Sequence, residues 1–375
     1  MHDITTIHSS GADKPDYLNT GLGLSVSLDN VPSQGYLSDP VEEWEIFYKE
    51  NHSIIPSYEG PLEQLRAIYN STKRRAAESR KDLVADGLRV EDIEIPTPNG
   101  DGRIGIKLRI YKPVTEKSTD SDLPVLIYLH GGGWTLGNLD ADDSVCRSAC
   151  KRCNTVVVSV DYALYLLPYS VFMQTWLIQT RAPEFPYPSA ILDVWESLNW
   201  VPGLIWRLSF QAAVVTRKAI TGGIPISGTL LQIPVVCHRN CYPSEEYELQ
   251  SMHQNKDAPL LSRAALDQFW AYYNPPNIAD LQVSPLLAKD FTGFPRTFIQ
   301  ICGLDPLRDE GLAYATKLWG FDVPCSVVVY PGLPHGFNAF TELPAAKAYH
   351  EDMLKGLDEL ISGEIANGIR NYHGK

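Results

Sequence analysis

A short apolar run, Pro124-Val125-Leu126-Ile127-Tyr128-Leu129, ends in His130-Gly131-Gly132-Gly133-Trp134, and this junction constrains the chain more than any other segment. A continuous apolar stretch bounded by proline and glycine has the pattern of a buried strand in a parallel sheet. Three glycines after it let the backbone turn sharply and bring N–H groups close to a bound group that any Cβ would obstruct. Amides fixed before reaction stabilise the charge that develops on a carbonyl oxygen during acyl transfer.

Two further strands carry chemistry at their ends. Residues 297–302 leave through Gly303-Leu304-Asp305-Pro306, and residues 325–330 leave through Pro331-Gly332-Leu333-Pro334-His335-Gly336-Phe337. A carboxylate and an imidazole on loops after successive strands can meet at one sheet edge, where ligands bind in open α/β sheets. A Gly-x-Ser-x-Gly, the turn that presents a nucleophilic serine, does not occur anywhere between Trp134 and Asp305.

The chain resembles the hormone-sensitive-lipase-like branch of the α/β hydrolases. The motifs that carry the resemblance are residues 130–134, Asp161-Tyr162, Arg181-Ala182-Pro183-Glu184-Phe185-Pro186, Asp305-Pro306-Leu307-Arg308-Asp309-Glu310 and residues 330–337. The resemblance implies an α/β-hydrolase fold: a mostly parallel central sheet flanked by helices, with a helical cap. It also implies hydrolysis of small-molecule carboxylic esters. Gly132 and Gly133 would then donate oxyanion-hole N–H groups, supported by His130 and Gly131. Asp305 would orient the imidazole, and His335 would serve as general base and then general acid. A plant hormone receptor that resembles this same branch uses its pocket to bind a small ligand without catalysis, and a ligand-binding role is the alternative that the resemblance implies.

Departures from that pattern are equally specific. An uncharged, mostly apolar stretch at 163–180 separates Asp161-Tyr162 from Ala182-Pro183-Glu184. Residues 192–201 match the helix before the nucleophile strand and residues 212–220 the helix after it, with only residues 202–211 between. That span is expected to be too short for a helix end, a strand of ~5 residues and a nucleophile turn, so the central nucleophile strand and its serine are expected to be absent. Ser209 has bulky neighbours where the turn needs small ones, and Ser227 has Pro225 where it needs glycine. An altered coding segment on each side of residues 181–201, or a genuine relative without a nucleophile, accounts for both anomalies.

A net charge of −13 over 375 residues argues against nucleic acid or anionic membrane as partner. The start of the chain has no basic, then apolar, signal pattern, which leads to an expected cytoplasmic location. Residues 163–180 approach membrane-spanning length, but Pro168 and their place between family motifs of a soluble fold speak against a span. A homodimer stays open. Seven cysteines without a signal sequence read as reduced thiols. Cys146, Cys150 and Cys153 have an iron–sulfur-like spacing, yet they fit a buried helix face. Cys237-His238-x2-Cys241 lacks the further ligands that a metal requires. No metal and no cofactor are assigned, and no nucleotide-binding glycine motif occurs.

Along the chain, residues 1–38 are polar and expected to be poorly ordered. Helical spacing over 41–51 and 60–81 suggests cap helices within 39–85. The core is expected over 86–238, with the insert at 163–180 and the deletion near 202–211, and resumes over 291–375. Residues 88–95 and 103–111 read as an antiparallel edge. Residues 239–290, with a helix starting near Ser262, form the second cap segment, and a closing helix occupies 342–362.

Overall fold

A computed structural model describes residues 34–79, 87–97, 105–114, 123–163, 187–201, 205–208, 210–247 and 249–374. The N-terminal 33 residues, most of the 163–180 insert, the 181–186 motif and Ser209 lie outside the described residues. The strands are β1 Leu88–Ile95, β2 Ile106–Pro113, β3 Val125–Leu129, β4 Val156–Asp161, β5 Ile205–Leu208, β6 Ile226–Gln232, β7 Arg296–Leu304, β8 Cys325–Pro334 and β9 Gly368–Asn371. The helices are α1 Glu42–Asn51, α2 Leu62–Ser79, α3 Asp143–Arg152, α4 Ser189–Trp200, α5 Phe210–Thr221, α6 Ser251–Gln254, α7 Arg263–Tyr273, α8 Arg308–Gly320 and α9 Pro344–Ser362.

These strands make one sheet in the order β1-β2-β4-β3-β5-β6-β7-β8-β9. β1 and β2 form the antiparallel edge, β2 meets β4 antiparallel, and every pairing from β4 to β9 is parallel. Alternation along the strands divides the core into two layers. Leu126, Tyr128, Val157 and Val328 pack with Cys146 and Ala149 of α3 and Met353 and Leu357 of α9. Ile127, Leu129, Val158 and Val160 face the other way, onto Ile191, Val194 and Leu198 of α4 and Val214 and Val215 of α5. Burying one such side chain stabilises the fold by about 1.5–3 kcal/mol, which is why β3 and β4 read as unbroken apolar runs.

The central strand corrects one expectation. β5 lies between β3 and β6, with Val125 to Tyr128 pairing in register with Ile205 to Leu208, so residues 202–211 do supply a nucleophile-position strand. The span suffices because the strand has only four residues, reaching about 13 Å at ~3.3 Å each. The junction from β5 to α5 is left with a single residue, Ser209. Ser227 is the second residue of β6, near the strand start and so at the edge opposite Asp305 and His335.

The segment expected to be poorly ordered also ends earlier than its composition indicates. Gln34–Ser38 form a 3-10 turn in which Leu37 is buried and Ser38 Oγ accepts a 2.6 Å hydrogen bond from Arg308. A Cβ on Gly303 would lie 2.1 Å from the Leu37 carbonyl oxygen, so glycine there lets the turn press against the end of β7. α2 and α7 share one apolar cluster, containing Leu65, Tyr69, Phe269 and Trp270, with Trp134 and Leu307 beneath it. No helix among the described residues is long and apolar enough to cross a membrane.

Candidate active site

Asp305 and His335 meet because of strand register. Leu304 and Pro334 are partners at the end of the β7–β8 ladder, and the next residue on each strand carries the functional group. Asp305 Oδ2 lies 2.8 Å from His335 Nδ1, leaving Nε2 as the other ring nitrogen. The carboxylate is 1 % exposed, and its Oδ1 accepts a 2.9 Å hydrogen bond from the Leu307 N–H.

A buried network holds the Asp305 loop in place. The Asn255 side-chain amide donates to the carbonyls of Gly303 and Asp305, at 3.2 and 2.9 Å. Arg308 is fully buried, and its guanidinium reaches Asp309 Oδ1, Ser38 Oγ, Gln254 Oε1 and the Gly303 carbonyl. Asp309 Oδ2 accepts from the N–H groups of Gln250 and Ser251, both at 2.7 Å. Glu310 accepts from the N–H groups of Val236 and Cys237 and from the Tyr242 hydroxyl. Residues 308–310 thus fasten Val236, Cys237, Tyr242, Gln250, Ser251 and Gln254 to the loop that carries Asp305.

The glycine turn after β3 requires its glycines. Gly132 and Gly133 have φ of +130° and +55°. A Cβ on Gly132 would lie 2.3 Å from the Leu136 carbonyl oxygen, and one on Gly133 would lie 2.8 Å from the Phe269 ring. His130 is buried beneath the turn and stacks on Tyr162 with ring centroids 4.4 Å apart. Its Nδ1 donates to the Gly131 carbonyl at 2.9 Å, and burial lowers its pKa from the ordinary value, favouring the neutral ring. The Tyr69 hydroxyl, from α2, donates to the same carbonyl at 3.1 Å.

A cavity of ≈ 220 Å³ is lined by Gly131–Trp134 and His335, and by Leu261 together with Leu266 and Phe269 of α7. All the expected site residues therefore gather around one space: Gly132, Gly133 and His335 on its wall, Asp305 behind His335, and His130 and Gly131 supporting the turn. Sequence reasoning did not find Lys73 and Asp142, which line the same cavity and form a 2.6 Å ion pair. Burial pushes the Asp142 carboxyl up, but Lys73 reverses this and holds it below its ordinary value. The charge spacing on α2 reads as a solvated face, so the inward turn of Lys73 has no signal in sequence.

Cys146 and Cys150 are fully buried on α3 and Cys153 nearly so, as the helix-face reading expects. Cys237 is buried, its Sγ donating to the His238 and Cys241 carbonyls, and burial raises its pKa. No metal-ligating cluster occurs among the described residues.

Comparison with known proteins agrees with this geometry. A family profile described as alpha/beta hydrolase fold matches residues 126–166 and 179–339, with its gap inside the insert. The chain is similar to carboxylesterase NlhH of Mycobacterium tuberculosis, 34 % identical over 68 % of this chain and 78 % of that protein. It is 31 % identical to esterase LipI of the same organism, over 78 % of this chain and 89 % of the relative. Among solved structures, vibralactone cyclase superposes with a TM-score of 0.77 at 26 % identity, covering 91 % of this chain and 99 % of that one.

Proposed function

The chain belongs to the hormone-sensitive-lipase-like branch of the α/β hydrolases, a family of carboxylic-ester hydrolases, and on that premise we propose that its cavity takes a small-molecule ester and turns it over hardly above background. The observation that carries this reading is the cavity itself, lined at once by the Gly132–Gly133 turn and by His335 paired to Asp305. In the proposed pose the ester carbonyl oxygen points at the turn, whose N–H groups stabilise developing negative charge. His335 Nε2 accepts the proton of the attacking group and later returns one to the leaving alcohol, while Asp305 holds the ring and favours its charged form.

Attack is the step that this chain impairs. At the β5–α5 junction it carries Arg207-Leu208-Ser209-Phe210-Gln211 where the nucleophile turn requires small flanking residues. Bulky residues on both sides disfavour the strained turn that such a nucleophile needs. Without the acyl-enzyme route, help from oxyanion donors and binding is ~10³–10⁴ over water at best. Binding of the ester, without productive turnover, is the remaining capacity. One observation favours a second reading, in which Ser209 is the nucleophile: it is the residue between the last position of β5 and the first of α5.

A fluorophosphonate probe followed by intact mass separates the two. The expected result is no adduct and background hydrolysis of p-nitrophenyl butyrate. A stoichiometric adduct on Ser209, with turnover lost in Ser209→Ala, would overturn the impaired-attack reading.

A further inference from the structure

The cavity wall also carries two charged side chains that the ester chemistry does not use. Lys73 on α2 and Asp142 just before α3 both line it, with Thr72 and Tyr128 beside them. Lys73 Nζ donates to Asp142 Oδ1 at 2.6 Å and lies 5.4 Å from the centre of the Tyr69 ring. The side chains are 23 % and 9 % exposed, so the pair sits mostly out of water, in a cavity whose lining also includes Leu260, Leu261, Leu266 and Phe269.

A lysine ammonium has three N–H donors, and the bond to Asp142 uses one. The pair is neutral overall, which decides the ligand class. A carboxylate placed on Lys73 would bring a second negative charge beside Asp142 and would have to be desolvated. A ketone, hydroxyl or lactone oxygen can accept an N–H there without adding charge. We propose that Lys73 and Asp142 form a subsite for a neutral oxygen acceptor carried on the ester's chain, in addition to the ester carbonyl itself. The favoured ligand is then an oxo- or hydroxy-substituted ester of modest length, and a plain alkyl ester is the weaker one.

This inference rests on the ester reading of the cavity, and the test keeps the two apart. Binding of ethyl hexanoate, ethyl 5-oxohexanoate and ethyl hydrogen adipate to the full chain is followed by tryptophan fluorescence. The oxo ester is expected to bind roughly three- to tenfold more tightly than ethyl hexanoate, as one added hydrogen bond allows. In the Lys73→Met, Asp142→Asn double variant, which removes both charges together, that ratio should fall to near one. Equal affinities in the unaltered chain, or an undiminished ratio in a double variant that still unfolds cooperatively, overturn the subsite. Tightest binding by the adipate monoester overturns it in favour of an anion site. If none of the three binds, the ester reading itself falls and takes the subsite with it.

Discussion

Asp305 and His335 follow directly on Leu304 and Pro334, which face each other across the β7–β8 ladder, so register alone brings the carboxylate within 2.8 Å of the imidazole. The pair therefore does not depend on a competent nucleophile. A strongly downfield Nδ1–H resonance is expected for His335 in the unaltered chain, lost in Asp305→Asn. Its absence from the unaltered chain would show that the pair is not formed in solution.

Tyr69 ties α2 to the glycine turn through its 3.1 Å bond to the Gly131 carbonyl. That carbonyl also accepts from His130 Nδ1, so removing the phenol does not leave it without a partner. Tyr69→Phe should therefore cost only about 0.5–1.5 kcal/mol of stability, the range of one ordinary hydrogen bond. Urea unfolding with an unchanged m-value checks this, and a loss above about 3 kcal/mol would mean that more than this one bond is lost.

Arg308 should be far less tolerant. Its four partners are an aspartate, a serine, a glutamine and a backbone carbonyl, and the side chain is fully buried. Arg308→Met fills the volume but strands Asp309 as a buried charge. Breaking a buried pair from one side costs about 3–5 kcal/mol, against total stabilities of ~5–15 kcal/mol. A marked drop in the urea midpoint is expected. A midpoint within experimental error of the unaltered chain would refute the role given to this network.

Glu310 gives a pH dependence whose sign can be worked out. Burial raises its carboxyl from the ordinary 4.5 to about 8, against hydrogen bonds from Tyr242 and the Val236 and Cys237 amides that favour the charged form. The folded chain then holds a proton that the unfolded chain has already released. Its contribution to stability is fully present below about pH 4.5 and is lost as pH rises through about 8. Glu310→Gln cannot titrate, so the fall in melting temperature between pH 5 and pH 8.5 should be shallower in that variant. Parallel curves for the two proteins would count against a buried, protonated Glu310.

Much of this fold was legible in the sequence because its signals are local. The apolar runs of β3, β4, β7 and β8 and the glycine turn each lie within a few residues, as does Ser262, whose side chain caps α7. Asp305 and His335 could be placed together because each leaves a neighbouring strand. β5 was missed because a four-residue strand between two helices carries too little apolar pattern to outweigh the length that a full nucleophile turn requires. The small strand β9 and the 3-10 turn at Gln34–Ser38 were missed for a similar reason, since partners remote in sequence hold them. Lys73–Asp142 is a tertiary pair across 69 positions and had no local signature.

Restoring the junction tests the reading of the active site as a whole. Most of 163–180 would be removed so that Asp161-Tyr162 runs on toward Ala182-Pro183-Glu184. Residues 202–211 would be replaced by a helix end, a longer apolar strand and a Gly-Asp-Ser-Ala-Gly-Gly turn leading into Ala212. A longer strand extends the ladder that β5 already makes with β3 and β6, so the register of its neighbours need not change. The introduced serine would leave the sheet at the edge where the glycine turn and His335 line the cavity. Turnover of short acyl p-nitrophenyl esters should appear and should be lost in His335→Ala. Asp305→Asn should depress it by up to about 10⁴, because the carboxylate sets the tautomer and stabilises the charged ring. A repaired protein that folds but stays inert, while the unaltered chain binds a small apolar ligand tightly, would instead identify the cavity as a ligand-binding site without catalysis.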